Sequence, residues 1–110
     1  MRWSSFATGF VLAFSLAASA AHAQQANLSV SVKNHKFQPA ELHAPANTPI
    51  VITVKNLDSS QMEFESVSLR VEKVIGGNGQ AAIRIRALAP GRYEFYDDFN
   101  QQAEGVLVVK

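Results

Sequence analysis

Leu28, Val30 and Val32 alternate with Ser29, Ser31 and Lys33, a period of two that predicts a strand with one apolar face. Strand chemistry of this kind recurs to the end of the chain. Phe37-Gln38-Pro39 breaks the first run, and Ala40–His43 is expected as a short edge strand. Pro45-Ala46-Asn47-Thr48-Pro49 reads as a loop, since two of its residues donate no backbone hydrogen bond. Ile50–Lys55 is rich in β-branched residues and ends in the turn cluster Asn56–Ser60. Met62–Ser66 and Leu69–Ile75 read as extended, followed by a turn at Gly76-Gly77-Asn78-Gly79. Ala82–Leu88 alternates again, Ala89-Pro90-Gly91 turns, and Tyr93–Tyr96 is an aromatic strand. A polar loop over Asp97–Glu104 and a last strand over Val106–Val109 complete the pattern. About seven or eight short strands with turn signals every 8–12 residues or so predict an all-β sandwich, with Greek-key connections as the expected wiring.

The first residues follow a different rule. Arg2 gives a positive start, Phe6–Ala18 is apolar and uncharged, and Ala21-His22-Ala23 offers small residues where a signal peptidase reads. The apolar run falls short of the roughly 20 residues a membrane-spanning helix needs. Residues 1–23 are therefore expected to be a secretory signal peptide cleaved after Ala23, leaving 24–110 as a single domain. Export is expected to take the domain out of the cytoplasm.

Charge and cysteine narrow the function classes. The chain has ten Lys and Arg against nine Asp and Glu. Loss of Arg2 with the signal brings the domain into balance. The electrostatic footprint of a nucleic-acid binder is missing, and low net charge leaves a homodimer open because copies do not repel. With no cysteine, disulfides, a lipidated cleavage site and a thiolate nucleophile or ligand are all excluded.

The catalytic templates are also missing: there is no G-x-S-x-G, no Gly-rich phosphate loop before a helix, and no H-E-x-x-H. His35 and His43 stand eight apart across a proline and make no ready metal pair. The carboxylates are more suggestive. Glu63, Glu65 and Glu72 form one group, and Glu94, Asp97 and Asp98 another. Glu63 and Glu65 share a strand face, and carboxylates brought together repel unless a cation relieves them. Oxygen ligands suit iron, manganese or calcium. Met62 adds a thioether, which favours copper(I), although strand parity turns Met62 and Glu63 to opposite faces unless a bulge intervenes. The plainer reading is equally available: Glu63 and Glu65 as the wet face of a half-buried strand, Met62 and Phe64 as its core face. Tyr93 and Phe95 are expected inside, with Tyr96 and Phe99 walling the acidic loop. Arg84 and Arg86 share a strand face and, with Arg92, form a candidate docking patch; salt bridges to glutamates explain them more simply.

The ordered segments NHKFQPAEL (34–42), NTPIVITVKN (47–56), QMEFES (61–66), RVEKVIGGNG (70–79), LAPGRYEFYDDF (88–99) and EGVLVVK (104–110) resemble a cupredoxin-like domain. They are similar in particular to the periplasmic cupredoxin-like component of bacterial ferrous-iron uptake systems. The resemblance covers essentially all of 24–110. It implies a Greek-key sandwich, but with altered ligands. Met62 stands where blue-copper members begin a strand with His. Asp97 falls near their Cys, and the loop on to Gly105 has neither His nor Met. A type 1 blue-copper centre needs that thiolate and is not expected. The iron-uptake relatives replace such ligands with carboxylates, including a Glu-x-Glu pair matching Glu63 and Glu65. The resemblance thus implies an iron and/or copper ion held among Met62, Glu63, Glu65, Glu72, Asp97 and Asp98. The implied role is an accessory to ferrous-iron uptake, with a membrane iron permease and other uptake components as partners. Two other classes stay open: an oxidoreductase (a ferroxidase or an atypical copper carrier) and a sandwich that serves as an interaction domain without metal.

N-terminal sequencing of the exported protein is expected to begin at Gln24; a chain beginning at Met1 would contradict the signal-peptide reading.

Overall fold

The computed structural model describes residues 24–110, so the expected signal peptide lies outside the described residues. Two sheets pack face to face. The first is four-stranded, in the order β2-β1-β4-β7, built from Ala26–Lys33 (β1), Lys36–Gln38 (β2), Ile50–Asn56 (β4) and Gln80–Ile85 (β7). The second is five-stranded, in the order β3-β9-β8-β5-β6. It comprises Glu41–Ala44 (β3), Met62–Ser66 (β5), Val71–Ile75 (β6), Gly91–Asp97 (β8) and Asn100–Val109 (β9). Among the described residues every regular element is a strand. The chain crosses between sheets at β2–β3, β3–β4, β4–β5, β6–β7 and β7–β8. Parallel pairings of β1 with β4 and of β3 with β9 close the two layers.

Each inner face follows from alternation. Ile50, Ile52, Val54 and Asn56 of β4 are buried, while Lys55 between them is exposed. Across the core, Phe37 from the first sheet meets Phe64 and Phe95 from the second. Phe95 lies 4.9 Å from Phe37 edge-on and 5.0 Å from Phe64 in a stack. Such pairs add stabilisation beyond the area they remove from water. Asn56 is the buried polar tie. Its Nδ2 donates to the carbonyls of Ser60 at 2.8 Å and Gly76 at 3.1 Å, which joins the end of β4 to the end of the β5–β6 hairpin.

Nine strands form where about seven or eight were expected. The additional pairing comes from turns the sequence disguises. Phe37 does not break the first run. The chain reverses through Asn34 and His35, at φ 53° and 58°, and Phe37 pairs back opposite Val32. The turn carries no glycine. It is held from outside by Asp58, whose carboxylate accepts from the Asn34 and His35 amides at 2.7 and 3.0 Å; these bonds hold its carboxyl below the ordinary value. The expected polar loop over Asp97–Glu104 is instead a hairpin, with Asp97 opposite Asn100 and Ala103 buried. Its buried residues are the polar Asp97 and the small Ala103, so only one small apolar residue betrays an inner face. Leu69 and Leu88, expected on strands, lie outside them but still plug the core. At the β6–β7 turn, Gly77 is needed for close approach, because a Cβ there would run into the backbone carbonyl of Ser59.

Truncating the aromatic at the centre of the core, Phe64→Ala, is expected to cost about 3–5 kcal/mol, read from the urea midpoint. A loss under about 1 kcal/mol would mean the three rings do not organise the core.

Candidate metal centre

The geometry of β5 decides what reaches its outer face. Met62, Phe64 and Ser66 are buried, and Glu63 and Glu65 are half-buried on the opposite side. β6 runs antiparallel beside it with Glu72 directly across from Glu65. One carboxylate oxygen from each of Glu63, Glu65 and Glu72 can be chosen so that all lie within 4.8 Å of one another. Like charges directly opposite on paired strands oppose folding, so this cluster is held together by the sheet, against its own repulsion.

Neighbouring groups register that repulsion. Glu63 is pushed above its ordinary value near 4.5, first by burial, then by a shared hydrogen bond with the Asp98 carboxyl and by the charges of Glu72, Asp98 and Glu65. Tyr96, on β8 opposite Glu65, donates its hydroxyl to Glu65 Oε2 at 3.1 Å. Its phenol is raised by burial, by that hydrogen bond and by the surrounding negative charge. The Asp98 amide donates to the Glu63 carbonyl at 2.9 Å, and its Oδ1 accepts from Gln101 Nε2 at 2.9 Å. The cluster therefore sits against the β8–β9 turn, with Tyr96 on one flank and Asp98 on the other.

The other expected ligands go elsewhere. Met62 is buried in the core, on the face away from the glutamates. No bulge interrupts the β5–β6 register, so parity separates its sulfur from the carboxylates. Asp97 is also fully buried and turned inward. Its Oδ1 accepts from the amides of Glu63 at 2.9 Å and Phe99 at 3.0 Å, which fixes the start of β5 to the hairpin turn. Its Oδ2 has no hydrogen-bond partner among the described residues. Thus Glu63, Glu65 and Glu72 come together with Asp98 beside them, while Met62 and Asp97 lie on the core side. His35 sits exposed in the β1–β2 turn, 3.8 Å from Asp58. His43 sits on β3, 2.9 Å from Glu41; β9 and β8 separate it from β5. Tyr96 is the contact that sequence reasoning saw only as a wall; its place two residues before Asp98 on an alternating strand was the available signal.

An all-oxygen set of three carboxylates suits a hard cation. It offers neither the thiolate nor the thioether that selects copper(I), and with no cysteine in the chain a type 1 copper centre does not fit.

Comparison with known proteins agrees with this architecture. A family model described as a cupredoxin-like domain matches residues 5–109. An uncharacterised protein of Rickettsia prowazekii is 35% identical over 83 residues, spanning 74% of this chain and 66% of the relative's length. The metal-binding domain of the Cu(I)-exporting P-type ATPase CopA of Streptococcus pneumoniae, solved with Cu(I), superposes with a TM-score of 0.68. It has 17% identity and covers 82% of this chain and 99% of that one. Reduced auracyanin from Roseiflexus castenholzii has a TM-score of 0.65 and 18% identity, covering 76% and 96%. A purple cupredoxin from Nitrosopumilus maritimus has a TM-score of 0.59 and 18% identity, covering 74% and 98%. At these identities the solved structures establish a shared fold.

The raised Glu63 value has a signed consequence. The folded protein holds that proton more tightly than the unfolded chain. Its stabilising contribution is complete at low pH and is lost as pH climbs from near 4.5 through the raised folded value. In metal-free buffer, Glu63→Gln is therefore expected to melt higher than wild type at neutral pH, with the difference vanishing well below pH 4.5. Equal melting at neutral pH would show that the cluster carries no strain.

Proposed function

The chain belongs to the cupredoxin-like domain family, and on that premise we propose that it is a metal-binding member whose centre is the outward cluster Glu63–Glu65–Glu72. The ion is iron, bound outside the cytoplasm and passed to a membrane permease, so that the protein serves ferrous-iron uptake as an accessory. The observation that carries this reading is the meeting of the three carboxylates, with oxygens within 4.8 Å of one another on adjacent strands. Repulsion that the sheet sustains without a cation becomes attraction once one is bound, and oxygen donors match a hard ion better than a soft one.

Supporting residues have definable parts. Glu63, Glu65 and Glu72 supply the charge and the donor atoms. Tyr96 holds one Glu65 oxygen through its hydroxyl, and so orients that carboxylate. Asp98 adds negative charge at the Glu63 side. The buried Asp97, by gripping the Glu63 amide, sets where β5 begins and thereby where Glu63 points. When bound, the ion supplies neutralising charge and a transferable cargo. The cluster's outer-face position leaves it open to exchange with a partner. Export rests on the signal-like residues 1–23.

Calorimetric titration with Fe(II) under argon, with Mn(II) and Cu(I) in parallel, checks this. Iron is expected to bind one site and raise the melting temperature, with Cu(I) failing to compete. The Glu63→Gln/Glu65→Gln/Glu72→Gln variant should lose more than the roughly 10–100-fold that removal of an outer-shell partner costs. Unchanged iron affinity in that variant would overturn the assignment.

A further inference from the structure

The charged residues are sorted between the two outer faces. Every glutamate of the chain lies on the outer side of the five-stranded sheet. Glu63, Glu65 and Glu72 are joined there by Glu41 and Glu94, both level with Val106, and by Glu104, level with Tyr96. The four-stranded sheet is the reverse. Its outer side exposes Lys33, Lys36, Lys55 and Arg84, with Arg86 exposed one residue past β7. No carboxylate stands on its strands. Asp58, beside the β1–β2 turn, is taken up by the Asn34 and His35 amides. The sequence expectation that Arg84 and Arg86 pair with glutamates is not met: among the described residues neither lies within ion-pair distance of a carboxylate. Arg92 is on the other sheet, level with Val108. Lys33 and Lys36 stand directly opposite each other across β1 and β2, an arrangement that opposes pairing and that the charge of Asp58 near Lys33 offsets in part.

We infer that the outer face of the four-stranded sheet docks on an anionic lipid surface. The face suits a bilayer better than a protein. A protein interface needs a desolvated apolar centre, whereas this one has Ser29, Ser31, Thr53 and Ala82 between its basic side chains. The large exposed apolar residue beside it, Leu57, stands at one end just past β4. A second copy offers charge complementarity through its acidic face, but that contact would bury many charges with little apolar area to offset their desolvation. An anionic leaflet asks only for basic residues at its surface, each strengthening attachment by about fivefold. The acidic face repels the same leaflet, so the charge asymmetry orients the domain. Docked this way, the glutamate cluster faces away from the membrane across the sandwich core, open to loading from solution, and delivery to a permease follows release of the domain from the leaflet.

Co-sedimentation of the purified protein with vesicles of phosphatidylcholine containing about a third phosphatidylglycerol tests this. Binding to these, little to pure phosphatidylcholine, and release as salt rises are expected. Lys55→Glu/Arg84→Glu should weaken binding by at least about 25-fold, from about fivefold per site, with an unchanged melting temperature. Arg92→Glu should leave it intact. The Glu63→Gln/Glu65→Gln/Glu72→Gln variant should bind vesicles at least as well as wild type, so failure here and failure of the metal reading are separable. Equal binding to neutral vesicles, indifference to the Lys55/Arg84 change, or an equal loss with Arg92→Glu would overturn the inference. So would concentration-dependent self-association that the Lys55/Arg84 change abolishes, which would assign the face to a second copy.

Discussion

Phe64 cannot leave the core, and that single constraint organises the outer face of β5. The ring is fully buried and stacked on Phe95. A strand alternates, so fixing Phe64 inward fixes Glu63 and Glu65 outward. The antiparallel register with β6 then brings Glu72 opposite Glu65. None of the three carboxylates has a choice of side. A slip of one residue would bury two glutamates and expose Phe64, so the aromatic core protects the acidic cluster from rearrangement even though the cluster itself works against folding.

Consequences run from packing to chemistry through Asp97. This buried carboxylate bonds the amides of Glu63 and Phe99, joining the first residues of β5 to the β8–β9 turn. The turn in turn carries Asp98 to the Glu63 side, and β8 carries Tyr96 to Glu65. In the resemblance to blue-copper domains, Asp97 falls near the thiolate position. Here the residue faces the core and serves the backbone with one oxygen, while the exposed carboxylates next door gather the charge. At this end of the sandwich, where β5 meets the β8–β9 hairpin, Asp97 faces the core while Glu63 and Glu65 stand on the outer face of β5.

Much of this was legible in the sequence. The two-sheet β architecture followed from period-two runs and turn residues, and the Glu63–Glu65 pair with Glu72 followed from strand parity and grouping. Parity also gave Met62 to the core face, against its expected share in the site. The misses have physical causes. The Asn34-His35 turn carries no glycine and depends on Asp58, more than 20 residues away, so no local window contains its cause. The β8–β9 hairpin hides because its buried residues are the polar Asp97 and the small Ala103, while the aromatic Phe99 at its turn is exposed. The charge sorting between sheets was invisible because it depends on which strand joins which sheet. Balanced totals in the linear chain become one acidic and one basic face only after β1, β2, β4 and β7 are assigned to one layer.

The most direct measurement is an anomalous-difference map from crystals of the iron-loaded protein, collected at the iron edge. The expected result is one peak on the outer face between β5 and β6, within ligand reach of Glu63, Glu65 and Glu72. A peak on the core side, beside the free Asp97 Oδ2 or the Met62 sulfur, would contradict it. It would put the metal on the inner face of β5, away from the outward carboxylates.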